Sequence, residues 1–485
     1  VKMSFNWKIE NLNNFSISVD TRAAFWFTVC SLLQKGITML TMPIFTRILT
    51  TEQYGVFTVY QSWYNLVSII VTLNLSGSLI NNGLVKYENK RNQFISSMQG
   101  LSSTVTIFFF IIYLVFSDFW NDLFELSTVF MLAMFIQLLF EPAYLFWAQR
   151  QRFEFRYRKL VGVTLAVSVI SPLIGIATVY ATEHKAEARV ISFAFVQVCV
   201  GLIFYIIQAK RGKTFFNKDF WSFALKFNLP LIPHYLSQMV LGQSDRIMIS
   251  RMIGDSDAAI YGVAYNLATV VTLFINAING AFIPSIYMNM KSGNYADIRK
   301  KASFLCLFMA VLISVFMLFG PEAIALFAAP EYKAAVYVFP PVAASVFFTF
   351  IYTLYINIEF YFEKTGYVMF VSVIGAVLNI GLNYIFIPKY GFVAAGYTTV
   401  LCYALFAAGH FLLHKYVLKK NLIKEHVFNN KLILIYGAGV SVFMLISTLL
   451  YQNNIIRYCI IGVIALICLI NIKKLIKIFR TALQK

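Results

Sequence analysis

Lys35 and Glu141 need explaining first, because each stands alone inside a long apolar run of this 485-residue chain. A charged side chain facing lipid at mid-helix costs about 2.5–3.5 kcal/mol on insertion scales, so each must meet a partner or perform a task. The two could form a mutual ion pair. Alternatively, Lys35 is a cavity cation for an anionic ligand and Glu141 a proton carrier. Asp245, Arg246 and Arg251 stand together at one end of another apolar run and read either as a structural cluster or as a charged gate. His234 lies near Pro230 and Pro233 in the same run, where a hydrogen-bonded core histidine and a switch are both open readings.

Amides and hydroxyls surround these charges at helical spacing. Gln61, Asn65, Ser68 and Thr72 follow i, i+4, i+7, i+11, and Tyr265, Thr269, Thr272, Asn276 and Asn279 continue the same spacing for a further turn. Thr28, Ser31, Gln34, Lys35, Thr38 and Thr41 cluster on one helix, and His234, Gln238 and Asp245 on another. A single stripe of this kind serves helix-to-helix hydrogen bonding. Four stripes on corresponding helices of two halves predict a shared aqueous cavity. Its expected binding residues are Gln34, Lys35, Thr38, Arg47, Gln61, Asn65, His234, Gln238, Asn276 and Asn279, with Glu141, Asp245, Arg246 and Arg251 as gate or coupling residues. Pro43, Pro230 and Pro233 are expected to kink the helices that carry these groups.

The elements that must position these residues follow from composition. Hydrophobic residues make up 59% of the chain, aromatics 17% and charged residues only 13%, against about 25% charged in a soluble protein. A mean hydropathy of +0.72 points to lipid as the main solvent. A soluble enzyme, a nucleic-acid-binding domain and a disordered tail are all excluded. Cutting the apolar runs at charges, Pro and Gly gives fourteen segments, among them 223–249, 258–283 and 334–358. The expectation is an all-α integral membrane protein of about 14 transmembrane helices, with two pseudo-symmetric six-helix lobes around a central cavity and two extra C-terminal helices. The lobes are 23–209 and 223–414, joined by a linker at 210–222. Residues 1–22 precede them; a loop at 415–431, the last two helices at 432–472 and a basic tail at 473–485 follow.

The formal net charge is +19. Loops on one side of this layout hold 31 of the 40 Lys and Arg, the other side holds 8, and Lys35 lies within a helix. That asymmetry places both termini in the cytoplasm and makes most of the basic excess a matter of orientation. Residues 1–22 contain no apolar core, so the first helix is expected to act as the insertion signal. The six cysteines sit in apolar stretches without CxxC pairs and read as buried hydrophobes. The outer loops are short, about a dozen residues at most, and offer no place for the sugar site and base of a membrane glycosyltransferase or polymerase. No GxxxxGK[ST] motif supports an ATP-driven pump. A non-enzymatic protein without cofactor or metal is expected, with coupling to an H+ or Na+ gradient as the available energy source.

One motif recurs. Arg47-Ile-Leu-Thr-Thr-Glu-Gln-Tyr54-Gly55-Val56 opens the second helix, and Arg251-Met-Ile-Gly-Asp-Ser-Asp-Ala-Ala-Ile-Tyr261-Gly262-Val263 opens the eighth, 207 residues later from tyrosine to tyrosine. Internal repeats of this sort characterise transporters that rock two bundles about a central site.

Three segments carry a family resemblance: Pro43-Ile-Phe-Thr-Arg47 with Glu52-Gln-Tyr-Gly55; Pro230 with Ser244-Asp245-Arg246-Ile-Met-Ile-Ser-Arg251 and Tyr261-Gly262; and Pro388-Lys-Tyr-Gly391 with Ala394-Ala-Gly396. With the fourteen-helix layout, they make the chain resemble the multidrug/oligosaccharidyl-lipid/polysaccharide exporter superfamily, most closely its polysaccharide-transport branch of O-antigen and capsule repeat-unit flippases. In the first half the equivalent of Gly391 to Gly396 reads Glu187-Ala-Arg189-Val-Ile-Ser192 and lacks the glycines. The resemblance implies alternating access in the bacterial cytoplasmic membrane, with an undecaprenyl-diphosphate-linked glycan as cargo, its lipid tail left in the bilayer. It also implies a polymerase and a chain-length regulator of the same pathway as possible partners, and no nucleic acid. Multidrug antiport and lipid II flipping are the alternatives within the superfamily.

Overall fold

A computed structural model describes residues 19–362, 364–423 and 425–470. The described chain is helical. Its first half holds α1 (Val19–Ile48), α2 (Thr51–Val71), α3 (Ser78–Lys86), α4 (Arg91–Val115), α5 (Ser117–Phe124), α6 (Thr128–Phe153), α7 (Tyr157–Tyr180) and α8 (Lys185–Gly212). α9 (Lys218–Asn228) leads to the second half: α10 (Ile232–Met252), α11 (Asp255–Ala268), α12 (Thr272–Ser292), α13 (Tyr295–Leu318), α14 (Gly320–Phe327), α15 (Phe339–Tyr361), α16 (Thr365–Tyr390) and α17 (Phe392–Lys420). α18 (Asn430–Leu450) and α19 (Asn454–Ile470) follow. Each of the fourteen apolar runs falls on one or two of these helices, the final two residues of the last run lying outside the described residues. The segments 1–18 and 471–485, and with them most of the N-terminal segment and the whole basic tail, also lie outside.

Ten helical stretches among the described residues are long and apolar enough to cross a membrane. α1, α2 and α10 do not qualify on those terms. These three carry polar stripes, and the shortfall has a physical reason: a helix bordered by protein and water can spend apolar residues on amides and charges that a lipid-facing helix cannot.

In the first half α6 and α7 pack along α8, and α1 lies along α7. In the second half α15 and α16 flank α17, and α10 lies along α16. The core of the second half is large and continuous, built on Ile313, Phe339, Phe347, Phe350 and Leu354, all fully buried. α18 packs against α13 and α15, which makes the C-terminal helices part of that half's surface.

Several of the apolar runs are broken, among them the seventh and the eighth. The seventh divides at a short 3-10 turn, Leu229–Leu231. α9 before it is amphipathic and sits on the first half: Phe220 and Ala224 join the Leu84/Phe94 core, and Trp221 Nε1 donates to the Ser97 carbonyl at 3.0 Å. Pro230 and Pro233 therefore do not kink a helix interior; they occupy helix starts, where a missing N–H removes nothing. The eighth run divides at Thr269–Val271. There the hydroxyls of Thr269 and Thr272 donate back to the carbonyls of Tyr265 at 2.8 Å and Thr269 at 2.6 Å, so part of that polar stripe is consumed by the bend itself.

α2 crosses out of its own half and packs mainly on α10 and α11. The two Tyr-Gly motifs make the crossing. α2 starts with a capping box in which Thr50 Oγ1 accepts from the Gln53 amide and the Gln53 side chain accepts from the Thr50 amide. Thr51 Oγ1 then donates to Ser256 Oγ at 3.1 Å. A Cβ on Gly55 would lie 2.0 Å from the Asp255 carbonyl oxygen, and one on Gly262 would lie 2.8 Å from Thr58 Cγ2. Backbones this close admit no side chain, which is why both repeats carry glycine there. Replacing Gly55 with Leu should force the crossing apart and destabilise the closed bundle by about 1–3 kcal/mol, the usual range for overpacking. The check is oxidative crosslinking of Thr51→Cys with Ser256→Cys: efficient in the parent, and lost when Gly55→Leu is added.

Candidate functional site

Beneath this crossing lies a cavity of about 350 Å³. Its walls come from α1, α2, α6, α7 and α8, with Asn266 added from α11. Gln34, Thr38, Gln61 and Glu141 line it, as do Arg189, Gln197 and Ser168, which the sequence reading did not single out. Gln34 Nε2 reaches Ser168 Oγ at 3.4 Å.

Arg189 is the main electrostatic feature. It is only 9% exposed, and its guanidinium sits between Phe45 and Phe57, 3.9 and 4.0 Å from the two ring centroids. Aromatic faces stabilise a cation but accept no N–H in the guanidinium plane, and Nε and Nη1 have no hydrogen-bond partner. Gly175 makes the space, since a Cβ there would lie 2.9 Å from Arg189 Nη1. The result is a buried cation with free, directed donors, the arrangement a phosphate or carboxylate ligand completes.

Two further cations stand nearby. Lys35 is half-buried on α1, and no carboxylate among the described residues pairs with it. Its ammonium lies within electrostatic reach of Arg246. Tyr54, between the halves, lies within reach of both Arg189 and Arg246. Arg246 is 5% exposed, stacks over the Tyr265 ring at 4.3 Å, and donates to Gln243 Oε1 at 2.7 Å and the Gly242 carbonyl at 3.1 Å.

Glu141 does not form the ion pair with Lys35 that was one of its two readings. Its Oε2 accepts from Tyr64 Oη and from Gln137 Nε2, both at 2.6 Å. Tyr60 Oη in turn donates to Gln137 Oε1 at 3.1 Å. Neutral donors thus satisfy this carboxylate; Arg189 is the cation in the cavity wall, while Lys35, expected there from the sequence, and Arg246 are not among the lining residues.

Asp245 is 1% exposed and enclosed by donors from three helices. Tyr261 Oη on α11 and Thr399 Oγ1 on α17 donate to its Oδ2 at 2.5 and 2.7 Å, and Asn383 Nδ2 on α16 donates to Oδ1 at 2.6 Å. Thr398 Oγ1 donates to Asn383 Oδ1, and Ser244 Oγ to Asn379 Oδ1 at 2.8 Å. This is a polar knot inside the second half. Neither Asn379 nor Asn383 carried a signal in the sequence beyond its type, because the knot depends on three helices meeting.

The other candidates are dispersed. Arg47, at the end of α1, is exposed and donates to the Pro43 carbonyl at 2.8 Å, outside the cavity wall. Asn65 is half-buried on α2 below the cavity residues. His234 on α10 makes a 3.0 Å contact from Nδ1 to Ser372 Oγ, and Gln238 is half-buried one turn further along. Asn276 and Asn279 fall on α12, beyond the break, so a single face running from Tyr265 to Asn279 does not exist. Asn276 is exposed, whereas Asn279 Oδ1 is buried without a partner. Arg251 is a clasp between the halves: Nε reaches Glu125 Oε1 at 2.8 Å, and Nη2 donates to the Leu123 carbonyl at 2.9 Å.

A multi-span helical membrane protein, closed at one end by a crossing of its two repeated halves over a polar, cationic cavity, has the build of a transporter of small or lipid-anchored solutes. The chain belongs to the family described as polysaccharide biosynthesis protein, whose model matches residues 21–290, more than half of its length. The MatE family model matches residues 230–385. Protein 1 of the Lsg locus of Haemophilus influenzae is 24% identical over 364 residues, covering 73% of this chain and 88% of that one. Among solved structures, an inward closed conformation of the lipid II flippase MurJ superposes with a TM-score of 0.66 at 12% identity, covering 93% of this chain and all of that one. An inward-facing multidrug resistance MATE family transporter of the MOP superfamily gives 0.61 at 13% identity, covering 83% of this chain and all of that one. These likenesses establish the fold as that of the MOP superfamily.

Removing the clasp should loosen closure with little loss of fold. Because the Arg251–Glu125 pair is solvent-exposed, Arg251→Ala or Glu125→Ala should cost no more than about 1 kcal/mol in thermal unfolding. Maleimide labelling of a cysteine at Thr51 should nonetheless accelerate in each variant, with no further gain in the double variant.

Proposed function

We propose that the protein flips undecaprenyl-diphosphate-linked oligosaccharide repeat units across the bacterial cytoplasmic membrane by alternating access, supplying O-antigen, capsule or exopolysaccharide synthesis. The observation that carries this reading is Arg189, a buried guanidinium with two unpartnered donor nitrogens at the wall of a cavity whose carboxylate is already satisfied. A diphosphate would complete those donors, and Lys35 and Arg246 would add charge from the interlobe face. In a site sheltered from water such contacts are stronger than at a surface. The sugar hydroxyls would meet Gln34, Gln61, Gln197 and Asn266, which offer both donors and acceptors. The lipid tail would stay in the bilayer beside the lobes.

Closure at the crossing of α2 with α11, held by Arg251 on Glu125, would correspond to a state shut on the outer side, with the Lys- and Arg-rich loops in the cytoplasm. Reopening there and closing at the opposite end would complete the cycle. An H+ or Na+ gradient is proposed to drive it. A pathway polymerase and chain-length regulator would act on the product rather than complete the site.

Multidrug antiport is the second reading, favoured by the MatE match over residues 230–385. Cationic drugs would, however, meet Lys35, Arg189 and Arg246 unneutralised. Lipid II flipping shares the diphosphate chemistry and differs in the sugar and in the cell wall it feeds.

The test is complementation of a strain lacking its repeat-unit flippase, with deletion of this gene in its own host. Parent protein should restore surface polysaccharide. Arg189→Ala and Lys35→Ala should each lower transport roughly ten- to a hundredfold, as expected for loss of a charge-assisted contact of about 1.5–3 kcal/mol. Full restoration by Lys35→Ala would remove that residue from the site. Deletion that leaves surface polysaccharide unchanged while creating drug sensitivity would replace the flippase reading with antiport, and loss of cell-wall integrity would replace it with lipid II.

A further inference from the structure

The second half contains an ion pair that neither the cavity nor the Asp245 knot uses. Glu359 Oε2 on α15 and His410 Nδ1 on α17 lie 2.8 Å apart, and both side chains are 0% exposed. The helices that bring them together are among the most closely packed in the molecule. His410 lies against the rings of Tyr352 and Phe406, at 5.8 and 4.6 Å between centroids. Glu359 Oε1 and His410 Nε2 have no hydrogen-bond partner. Buried ion pairs are poor stabilisers relative to apolar packing of the same volume, and intramembrane carboxylates and imidazoles mark ion pathways far more often than structural pins.

The surroundings define what the pair can hold. From α15 it meets Glu359 itself and Tyr352. α10 contributes His234, within electrostatic reach of His410, and α16 contributes Ser372, the untitratable hydroxyl that His234 contacts. From α17 come His414, one turn along, and Tyr403, which stacks on Tyr352. Tyr265 on α11 lies within reach of Tyr352 and Tyr403. The one charged side chain Glu359 senses is His410. No Lys or Arg among the described residues compensates the carboxylate, so the pair is close to neutral with one proton and carries a full negative charge without it. A nitrogen in the site and the lack of a surrounding oxygen shell disfavour Na+.

We propose that Glu359 and His410 form the proton-binding site through which this half is coupled to a proton gradient. This rests on the transporter reading and assigns its driving ion. The step balances simply: one proton taken from water binds the pair, changing its charge from −1 to 0, and returns to water when the lobes have reoriented. Neutralising a buried charge between α15 and α17 alters how tightly those helices can close, which gives proton binding a mechanical consequence.

The experiment uses the full chain in lipid nanodiscs, with protons as the probe. Infrared difference spectra between about pH 5 and 8, the range in which a histidine-linked group responds, should show a protonated-carboxyl band. Glu359→Gln should abolish it, Asp245→Asn and Glu141→Gln should leave it, and His410→Gln should shift its midpoint by at least tenfold in proton concentration. In parallel, maleimide labelling of a cysteine at Gln238 should change severalfold with pH in the parent and become flat in both pair variants. Glu359→Gln keeps the shape and a hydrogen bond to the imidazole, so it tests the charge without emptying the site. Variants that melt earlier but keep the parental band and labelling profile would reduce the pair to a clasp. A parent protein with neither a titrating carboxyl nor a pH-dependent profile would overturn the proposal whether or not the variants fold. Polysaccharide complementation, read separately, would still decide whether the protein is a flippase.

Discussion

Charge held inside a membrane bundle has to be kept from lipid, and that constraint organises this molecule more than any single contact. Arg189 meets it with two phenylalanine faces and a glycine-made niche, Arg246 with Tyr265 and two backbone or amide acceptors, Glu141 with two neutral donors, and Asp245 with a cage drawn from three helices. Each solution needs neighbouring helices at fixed positions. The charges therefore dictate where α1, α2 and α10 must lie, and those helices lack the apolar runs of the lipid-facing ones. Composition alone expresses this: the least hydrophobic helices of a greasy protein are the ones that must face its interior.

The same constraint explains why the two halves meet as they do. Inside each half the contacts are broad and apolar, as in the core around Phe347 and Phe350. Between the halves α2 packs along α10 and α11, with Tyr54 and Val59 joined to the same apolar core, and the specific contacts are a glycine crossing, the hydroxyl pair of Thr51 and Ser256, and an exposed Arg251–Glu125 clasp. Exposed pairs contribute about 0–1 kcal/mol each, so the clasp adds little to closure beside the apolar packing of α2.

The all-helical membrane fold and the Tyr-Gly repeat were legible in the sequence because each is written locally, in apolar length and in motifs such as Gln53-Tyr54-Gly55. The breaks were harder. The run 223–249 was long enough to leave room for an interfacial turn, but the place of that turn and the packing of Phe220 on the first half are seen only in the structure. The eighth stripe was read as one face because the spacing held; the 3-10 turn at Thr269 invalidates the assumption of a single helical phase. Arg189 was counted with the outer loops, since it follows His184-Lys185 and precedes the apolar run beginning at Val190, yet α8 begins at Lys185 and carries it into the cavity. Glu359 was missed by one residue: the tenth run ended at 358, whereas α15 continues to Tyr361 and buries the carboxylate. Charges at helix ends are where a sequence-based boundary decides between loop and site, and boundaries are the least certain part of any such reading.

Repetition and function pull the halves in different directions. The Tyr-Gly starts share their glycines because each makes room for the other half, Gly55 for the Asp255 backbone and Gly262 for the Thr58 side chain. The helices behind them are under no such reciprocal demand. In the first half they surround an open polar cavity with a free guanidinium; in the second the corresponding interior is filled by hydrophobic core, the Asp245 knot and the Glu359–His410 pair. On the proposed reading this is a division of labour, with cargo held by one lobe and the driving ion by the other. Such an arrangement requires only that the two lobes move against each other as units, because an ion that changes the packing of α15 on α17 is then felt at the crossing of α11 on α2, without any chain of side chains running from one site to the other.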